Sequence, residues 1–549
     1  LNPNRYKLLT STVTIAFFVI SLRLFYWQII QGPNLKRQAL KQTQKIEKIT
    51  PLRGKILSSD KFPLALNQSH YQLSVYKPNL KENLDQTITR INNIKPDFIT
   101  DNSRIIDKFK NNPRQLWINF PTNFSQKEKE ILSLPGLEFQ NSYTRFYPEN
   151  ELAQNLIGIL AQNQQGIQIG YGGLEAYYDK QLRGKTGFIK SAKDATGKTI
   201  LSQKVWQSDS INGRHLHTFL NRKIQFLVEQ KLEQGIKTYL AESGSIIVMR
   251  PDNGAIIAMA SLTATTSATP SGQKNSPISD LFEPGSIFKP LIVAMALDSK
   301  SITKDYTCPQ CHQPRTIGQD TINNWDMENN PDINLFDTIK QSDNISMSFI
   351  IDELGQENFL QYFHQLNLDQ KTGIDLQGES KPLAKTYWSH IDLATASFGQ
   401  GFAITQLQML NAFNSLANNG WMVKPTVVDY LSENDKMIKS KTAKKTKIFK
   451  SFTSDLLKDI LKYTVENSNL KKLKPENMEI CAKSGTAQIA QHGQYQQSST
   501  LASFIGFSPC QQPAFSMIVT LVKPKTSPWG STTAAPIWFD LADQIVHLL

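Results

Sequence analysis

The chain has 549 residues, of which 40% are hydrophobic and 19% charged, and a formal net charge of +13. That length exceeds one ordinary core and that composition excludes a disordered chain, so two or more folded domains are expected. The positive charge admits an anionic partner, but Lys and Arg are dispersed and no zinc-finger, RNA-recognition or basic-zipper pattern organises them, which sets nucleic acid aside.

Residues 8–22 carry no charge, and residues 24–30 prolong the apolar run past Arg23. Together they make about 23 residues, enough to cross a hydrocarbon core of about 30 Å. Arg23 is tolerable near one end, where its stem can snorkel to the headgroups. The chain continues Gln31-Gly32-Pro33-Asn34-Leu35-Lys36-Arg37, without the small residues of a cleavage site. The segment therefore reads as an uncleaved membrane anchor, with a buried soluble helix as the weaker alternative. Arg5 and Lys7 before it are balanced by Lys36, Arg37 and Lys41 after it, so flanking charge leaves the orientation open.

Residues 35–49, rich in Lys and Gln, are expected to be helical up to Pro51. From 55 to about 208 the pattern is mixed, with an alternating strand-like run at 71–76 and loops and short helices over 77–115. This is an irregular α+β region with no catalytic pattern. A second body starts near 211. Residues 222–241 have helical spacing, with Ile224, Leu227, Val228, Leu232 and Ile236 on one face. Residues 245–250 and 255–261 flank Pro251-Asp252-Asn253-Gly254 as a β-hairpin. Residues 262–278 read as a loop, and the Lys-rich stretch 436–450 as a solvated loop or hairpin. The four cysteines, Cys308, Cys311, Cys481 and Cys510, are too few for a disulfide-built scaffold of this size. Cys308-Pro-Gln-Cys311-His312 has ligand-like spacing, but no second cluster completes a zinc site, so a disulfide or loop thiols are expected and no metal.

Three short segments carry chemistry. In Glu283-Pro284-Gly285-Ser286-Ile287-Phe288-Lys289-Pro290, Ser286 opens a helix and Lys289 follows one turn later on the same face. A serine hydroxyl needs a base, and a lysine is one only if burial or a nearby cation lowers its pKa. Taken alone, the pair reads more simply as a capping serine and a surface lysine. Ser342-Asp343-Asn344 offers a second hydroxyl and an amide, or else a helix cap or Asx turn. Lys483-Ser484-Gly485-Thr486 lies in a strand-like run. There Lys483 and Gly485 share one face and Ser484 and Thr486 the other, the glycine allowing close approach and the cation suiting a carboxylate. Its plain alternative is a protected edge strand.

Serine-x-x-lysine, Ser-Asp-Asn and Lys-Ser-Gly in this order resemble the motif set of penicillin-binding proteins and serine β-lactamases. Longer stretches resemble class B penicillin-binding proteins in particular: Arg53-Gly54-Lys55-Ile56, Arg145-Phe146-Tyr147-Pro148, Gly172-Gly173-Leu174-Glu175, Gly399-Gln400-Gly401, Phe504-Ile505-Gly506-Phe507 and Ala534-Ala535-Pro536. The resemblance runs from the anchor almost to the carboxyl end. It departs at Asn221, where relatives often carry Asp, at Asp343, where Ser is common, and at Ser531, where a second Gly is frequent.

The resemblance implies an α+β protein: a cytoplasmic tail at 1–7, a transmembrane anchor at 8–30, a dimerisation-type pedestal at 31–210 and a transpeptidase domain at 211–549. The last would hold a five-stranded antiparallel sheet flanked by helices. It also implies a bacterial plasma-membrane protein, single-pass, with its catalytic domain outside, cross-linking peptidoglycan stem peptides through an acyl-enzyme on Ser286. Lys289 would be the base, and Ser342 and Asn344 the further catalytic residues. Lys483, Ser484, Gly485 and Thr486 would bind substrate, and backbone N–H groups of Ser286 and Thr486 would form the oxyanion hole. No cofactor is implied; the expected partners are stem peptides, β-lactams, membrane lipid and a polytopic membrane glycosyltransferase. The alternatives are a β-lactamase or D,D-carboxypeptidase of the same superfamily, and a non-catalytic β-lactam sensor or scaffold.

Overall fold

The computed structural model describes residues 3–164, 168–192, 206–264, 274–382, 385, 387–434, 436–440, 444–491 and 494–549. Its contacts divide the chain into two compact units that interleave in sequence: Leu1–Arg53 with Arg183–Gly213, and Gly54–Leu182 with Arg214–Leu549.

In the first unit the helix Pro3–Phe25 continues through a wider turn at Tyr26–Ile30, giving a 28-residue span with none of it buried against protein. It is long and apolar enough to cross a membrane. A short helix, Gly32–Thr43, follows, but the expected helix to residue 49 stops there. Gln44–Ile49 is instead a strand, paired antiparallel with Gly187–Ala192, which pairs in turn with Trp206–Ser208. Pairing with a segment some 140 residues away outweighs the weak helical preference of a Lys/Gln run.

In the second unit the long strand Pro63–Tyr76 pairs with both Trp117–Phe124 and Leu137–Phe146. The 77–115 segment folds into two helices, Leu84–Ile94 and Phe98–Lys110, the first capped by the Asn83 side chain. Ile88, Ile91, Phe98, Ile106 and Phe109 bury against Leu73, Val75, Phe120 and Phe124 to close a separate small core.

The remaining body is built on one antiparallel sheet of five strands: β1 (Ser243–Met249), β2 (Ile256–Thr263), β3 (Cys481–Gln491), β4 (Gln494–Ser508) and β5 (Phe515–Val522), in spatial order β2-β1-β5-β4-β3. The expected β1–β2 hairpin forms, with Ser245 opposite Ser261 and Ile246 opposite Ala260. Both faces of the sheet are covered. On one side lie α1 (Arg222–Tyr239) and the carboxyl-terminal helix Ala534–Ile545, with Ile224, Val228, Leu232 and Ile236 buried against Val519, Leu521 and Trp538. Asn221 caps α1 by accepting N–H bonds from Lys223 and Ile224, which an Asp would also do. On the other side runs α2 (Lys289–Asp298), whose residues from Pro290 to Ala296 are all buried. A helix that is apolar all round has no solvent face, so α2 is a rigid core element.

Of the Lys-rich stretch, Lys436–Ser440 pairs with Val428–Glu433 and Lys445–Lys447 with Trp421–Val423, so its two strands join different partners rather than each other. Within 262–278, β2 extends to Thr263 and Ser276–Ser279 forms one helical turn, while 265–273 lies outside the described residues.

Candidate active site

Ser286 sits in a single 3-10 turn, Gly285–Ile287, immediately before α2, so the helix proper opens at Lys289 rather than at the serine. Pro290 fits the first turn of α2 because no N–H is needed there. The turn is fixed from behind: Gly285 N–H donates to Gly399 O at 2.9 Å, and a Cβ on Gly399 would lie 2.2 Å from Gly285 O. Gly399 has φ +80°, so glycine meets both the conformation and the space. From Pro284 to Pro290, Ser286 is the one residue that is not buried.

Lys289 is fully buried. Its Nζ donates to Ser342 O at 2.5 Å, to Asn344 Oδ1 at 2.7 Å and to Ser342 Oγ at 3.1 Å. These three acceptors match the three protons of an ammonium, and Ser342, which can donate as well as accept, serves the neutral amine equally. Ser286 Oγ is not among them. Burial drives the Lys289 pKa well below the usual lysine value, the Lys483 cation pushes the same way, and the Asp343 carboxylate opposes.

Ser342 ends the helix Leu335–Gln341 in a left-handed conformation, φ +60°, and Asp343 begins the helix Asn344–Leu354 by accepting Ser346 N–H at 2.7 Å. This break between two helices points Ser342 and Asn344 at the same amine. The second oxygen of buried Asp343 accepts from Asn324 Nδ2 at 2.7 Å and Asn330 Nδ2 at 2.8 Å. Asn324 Oδ1 in turn accepts the Asn344 N–H at 2.7 Å, and Asn344 Nδ2 donates to Asn323 O at 3.0 Å. The aspartate that stands where a middle serine is common is thus a cap and a hub. Asn323, Asn324 and Asn330 went unrecognised in the sequence, where the only signal is a cluster of asparagines on a loop.

The triplet at 483 lies on β3, the sheet edge, with Lys483, Gly485 and Ala487 buried and Ser484 and Thr486 partly exposed, as strand alternation requires. The edge is occupied: a Cβ on Gly485 would lie 3.3 Å from Ile287 N, and one on Gly285 would lie 3.3 Å from Ala487 Cβ. The turn bearing Ser286 therefore packs on the face of β3 that bears Lys483. Lys483 Nζ donates to Ser484 O at 2.9 Å, and burial lowers its pKa to about 7. Thr486 Oγ1 accepts the Gly530 N–H at 3.1 Å.

Two tryptophans also link the two sides of this site. Trp325 donates from Nε1 to Gln341 O, next to Ser342, and meets Trp529, next to Gly530, edge to face at 5.3 Å. Both stay exposed, at 57% and 42%.

Cys308 and Cys311 are joined in a disulfide that packs beside Ile345, the neighbour of Asn344. Cys481 and Cys510 form a second, at the start of β3. Among the described residues, no group of three or more His, Cys, Asp or Glu is placed to hold a metal ion.

The chain thus sets a serine turn against the edge strand of a sheet walled by two helical layers, with buried Lys483 on that strand. The model of the penicillin-binding protein transpeptidase domain matches residues 244–543, and that of the penicillin-binding protein dimerisation domain matches residues 48–218. The chain belongs to the penicillin-binding proteins, in the class B arrangement of a dimerisation domain followed by a transpeptidase domain. It is 27% identical over 545 residues to stage V sporulation protein D of Bacillus subtilis (strain 168), covering 95% of this chain and 82% of that protein. It is 26% identical over 568 residues to the peptidoglycan D,D-transpeptidase FtsI homolog of Mesostigma viride, covering 96% and 92%. The fold is similar to that of penicillin-binding protein 2X from Streptococcus thermophilus, with a TM-score of 0.77 at 20% identity over 92% of this chain and 80% of that one.

Proposed function

We propose that this chain is a peptidoglycan D,D-transpeptidase that cross-links stem peptides through an acyl-enzyme on Ser286. The observation that carries this reading is the fully buried Lys289 amine, held by Ser342 and Asn344 beside the turn that exposes Ser286. A lysine with its pKa lowered by burial and a neighbouring cation is neutral often enough to act as a base.

Neutral Lys289 accepts the Ser286 proton as Oγ attacks the carbonyl between two terminal D-alanines. Catalytic hydrogen bonds commonly tighten only once substrate is bound, and the Ser286–Lys289 contact belongs to that state. Backbone N–H groups of Ser286 and Thr486 stabilise the oxyanion, each such donor contributing about 2.7–4 kcal/mol. The intermediate collapses, the C–N bond breaks, and the departing D-alanine amine takes a proton through Ser342 Oγ, one hydrogen bond from Lys289 Nζ. Lys483, Ser484 and Thr486 hold the terminal carboxylate across Gly485, while Asn344 orients the peptide. An amine of a second stem peptide then attacks the ester, forming the new amide and releasing Ser286. A β-lactam acylates the same serine and leaves slowly. None of these steps draws on a cofactor.

In this reading residues 1–7 are a cytoplasmic tail, 8–30 the anchor, 31–210 the pedestal and 211–549 the catalytic domain on the outer side of a bacterial plasma membrane. A polytopic membrane glycosyltransferase supplies the glycan strands. The test is to incubate the full chain in detergent with a D-Ala-D-Ala peptide and an amine acceptor. The reading expects a cross-linked peptide with one D-alanine released per bond. Hydrolysed peptide alone would make it a carboxypeptidase, rapid penicillin turnover a β-lactamase, and no acylation a sensor or scaffold.

A further inference from the structure

Away from the catalytic edge, the small core around Pro63–Tyr76 carries a cavity of about 600 Å³ between the helix Phe98–Lys110 and the start of the strand Trp117–Phe124. Arg104 and Lys108, four residues apart on the helix, line one wall, and Gln115, Trp117 and Asn119 line the other. Three other cations of this small core are paired: Arg90 with Glu82, Lys95 with Glu128 and Lys110 with Asp85. Among the described residues Arg104 and Lys108 have no carboxylate within 4 Å, so two unpaired charges converge on one hollow. Trp117 is stacked on Tyr76 at 4.4 Å, yet remains 44% exposed, so its indole is held rigid with surface to spare. Gln115 uses its Nε2 on Trp117 O, and Asn119 uses its Oδ1 on the Ser74 hydroxyl. That leaves an amide oxygen acceptor and an amide N–H donor for an incoming group.

We propose that this cavity binds a segment of anionic saccharide: a sugar ring on the Trp117 indole, its hydroxyls on Gln115 and Asn119, and its carboxylate or phosphate between Arg104 and Lys108. A rigid aromatic face with amides suits a pyranose, and an arginine–lysine pair suits an anion with several oxygens. The site would hold a wall polymer on the enzyme independently of acylation, so its failure would leave the proposed reaction untouched.

The experiment is fluorescence anisotropy with the full chain in detergent and two labelled probes: soluble uncross-linked glycan–peptide strands, which carry carboxylates, and a glycosylated polyol-phosphate polymer. Binding of either supports the proposal and identifies the source of the anion. The Arg104→Gln/Lys108→Gln and Trp117→Leu variants are each expected to weaken that binding at least tenfold. Both should acylate with fluorescent penicillin at the wild-type rate, and unchanged thermal unfolding and circular dichroism certify the fold of the small core. An Arg90→Gln/Lys110→Gln chain, with the same loss of charge, should bind as wild type. The proposal is overturned if neither probe binds, if inorganic polyphosphate binds as tightly, if either cavity variant binds normally, or if the control variant is weakened equally.

Discussion

A Cβ on Gly485 would lie 2.9 Å from Ile287 Cγ2, so edge strand β3 and the turn that presents Ser286 are in direct contact. Through that contact the position of Ser286, the proposed nucleophile, depends on the strand that carries Lys483. The same Cβ would lie 2.6 Å from Ser503 Oγ, a buried hydroxyl with no hydrogen-bond partner among the described residues.

Gly485→Ala is therefore expected to push the serine turn off the strand and to slow penicillin acylation about 100-fold, the cost of a displacement on the order of 1 Å at a reacting group. Stopped-flow labelling measures it. Adding Ser503→Ala removes one of the two clashing atoms and should recover part of the rate. A Gly485→Ala chain that acylates normally would show that strand and turn move independently.

Acylation should have an alkaline limit set by Lys483. Its pKa of about 7 means that the cation proposed to recognise a substrate carboxylate is present below that pH and is lost as pH rises through it. Lys289 sets the acid limit, because protonation as pH falls through its own lowered pKa removes the base. Lys483→Arg, which stays charged, should abolish the alkaline limb of the kcat/KM profile. Lys483→Met should move the acid limb to higher pH by removing the cation that depresses Lys289, while weakening carboxylate recognition about 100-fold.

Asp343→Asn should shift the acid limb the other way. The carboxylate raises the Lys289 pKa against burial, so its neutralisation lets that pKa fall further. Asp343→Ala adds a stability cost: about 1 kcal/mol for the lost cap, and about 1–3 kcal/mol for the Asn324 and Asn330 amides left without their acceptor. Thermal unfolding of the two variants separates the electrostatic effect from the structural one.

Gly399→Ala has no room beside Gly285 and no relaxed backbone at φ +80°. A loss of about 2–4 kcal/mol of stability is expected, with slower acylation in whatever remains folded, since Gly399 O anchors the serine turn.

The residues that meet at the site were legible in the sequence because each motif is short and local, and their order supplied what no single motif could. Lys289 is brought to Ser342 and Asn344 as one cluster, and the Ser286 turn to the strand of Lys483. What stayed hidden was long-range and aperiodic. Asn323, Asn324 and Asn330 act through a loop fold that leaves no spacing pattern. Trp325 and Trp529 are 204 positions apart and meet only across the site. The strand Gln44–Ile49 exists because Gly187–Ala192 pairs with it, which a local reading of Lys and Gln cannot show. In the same way, Arg183–Gly213 joins Leu1–Arg53 in one compact unit although the two are far apart along the chain. The β1–β2 hairpin and α1, by contrast, are local patterns with turn and cap signals, and they lie where those signals place them.

The most direct test is mass spectrometry of the penicillin-treated chain after digestion, run beside Ser286→Ala. A single stoichiometric adduct is expected on the peptide containing Ser286, absent from a Ser286→Ala chain with unchanged thermal unfolding. An adduct on any other residue, or undiminished labelling of Ser286→Ala, would contradict it.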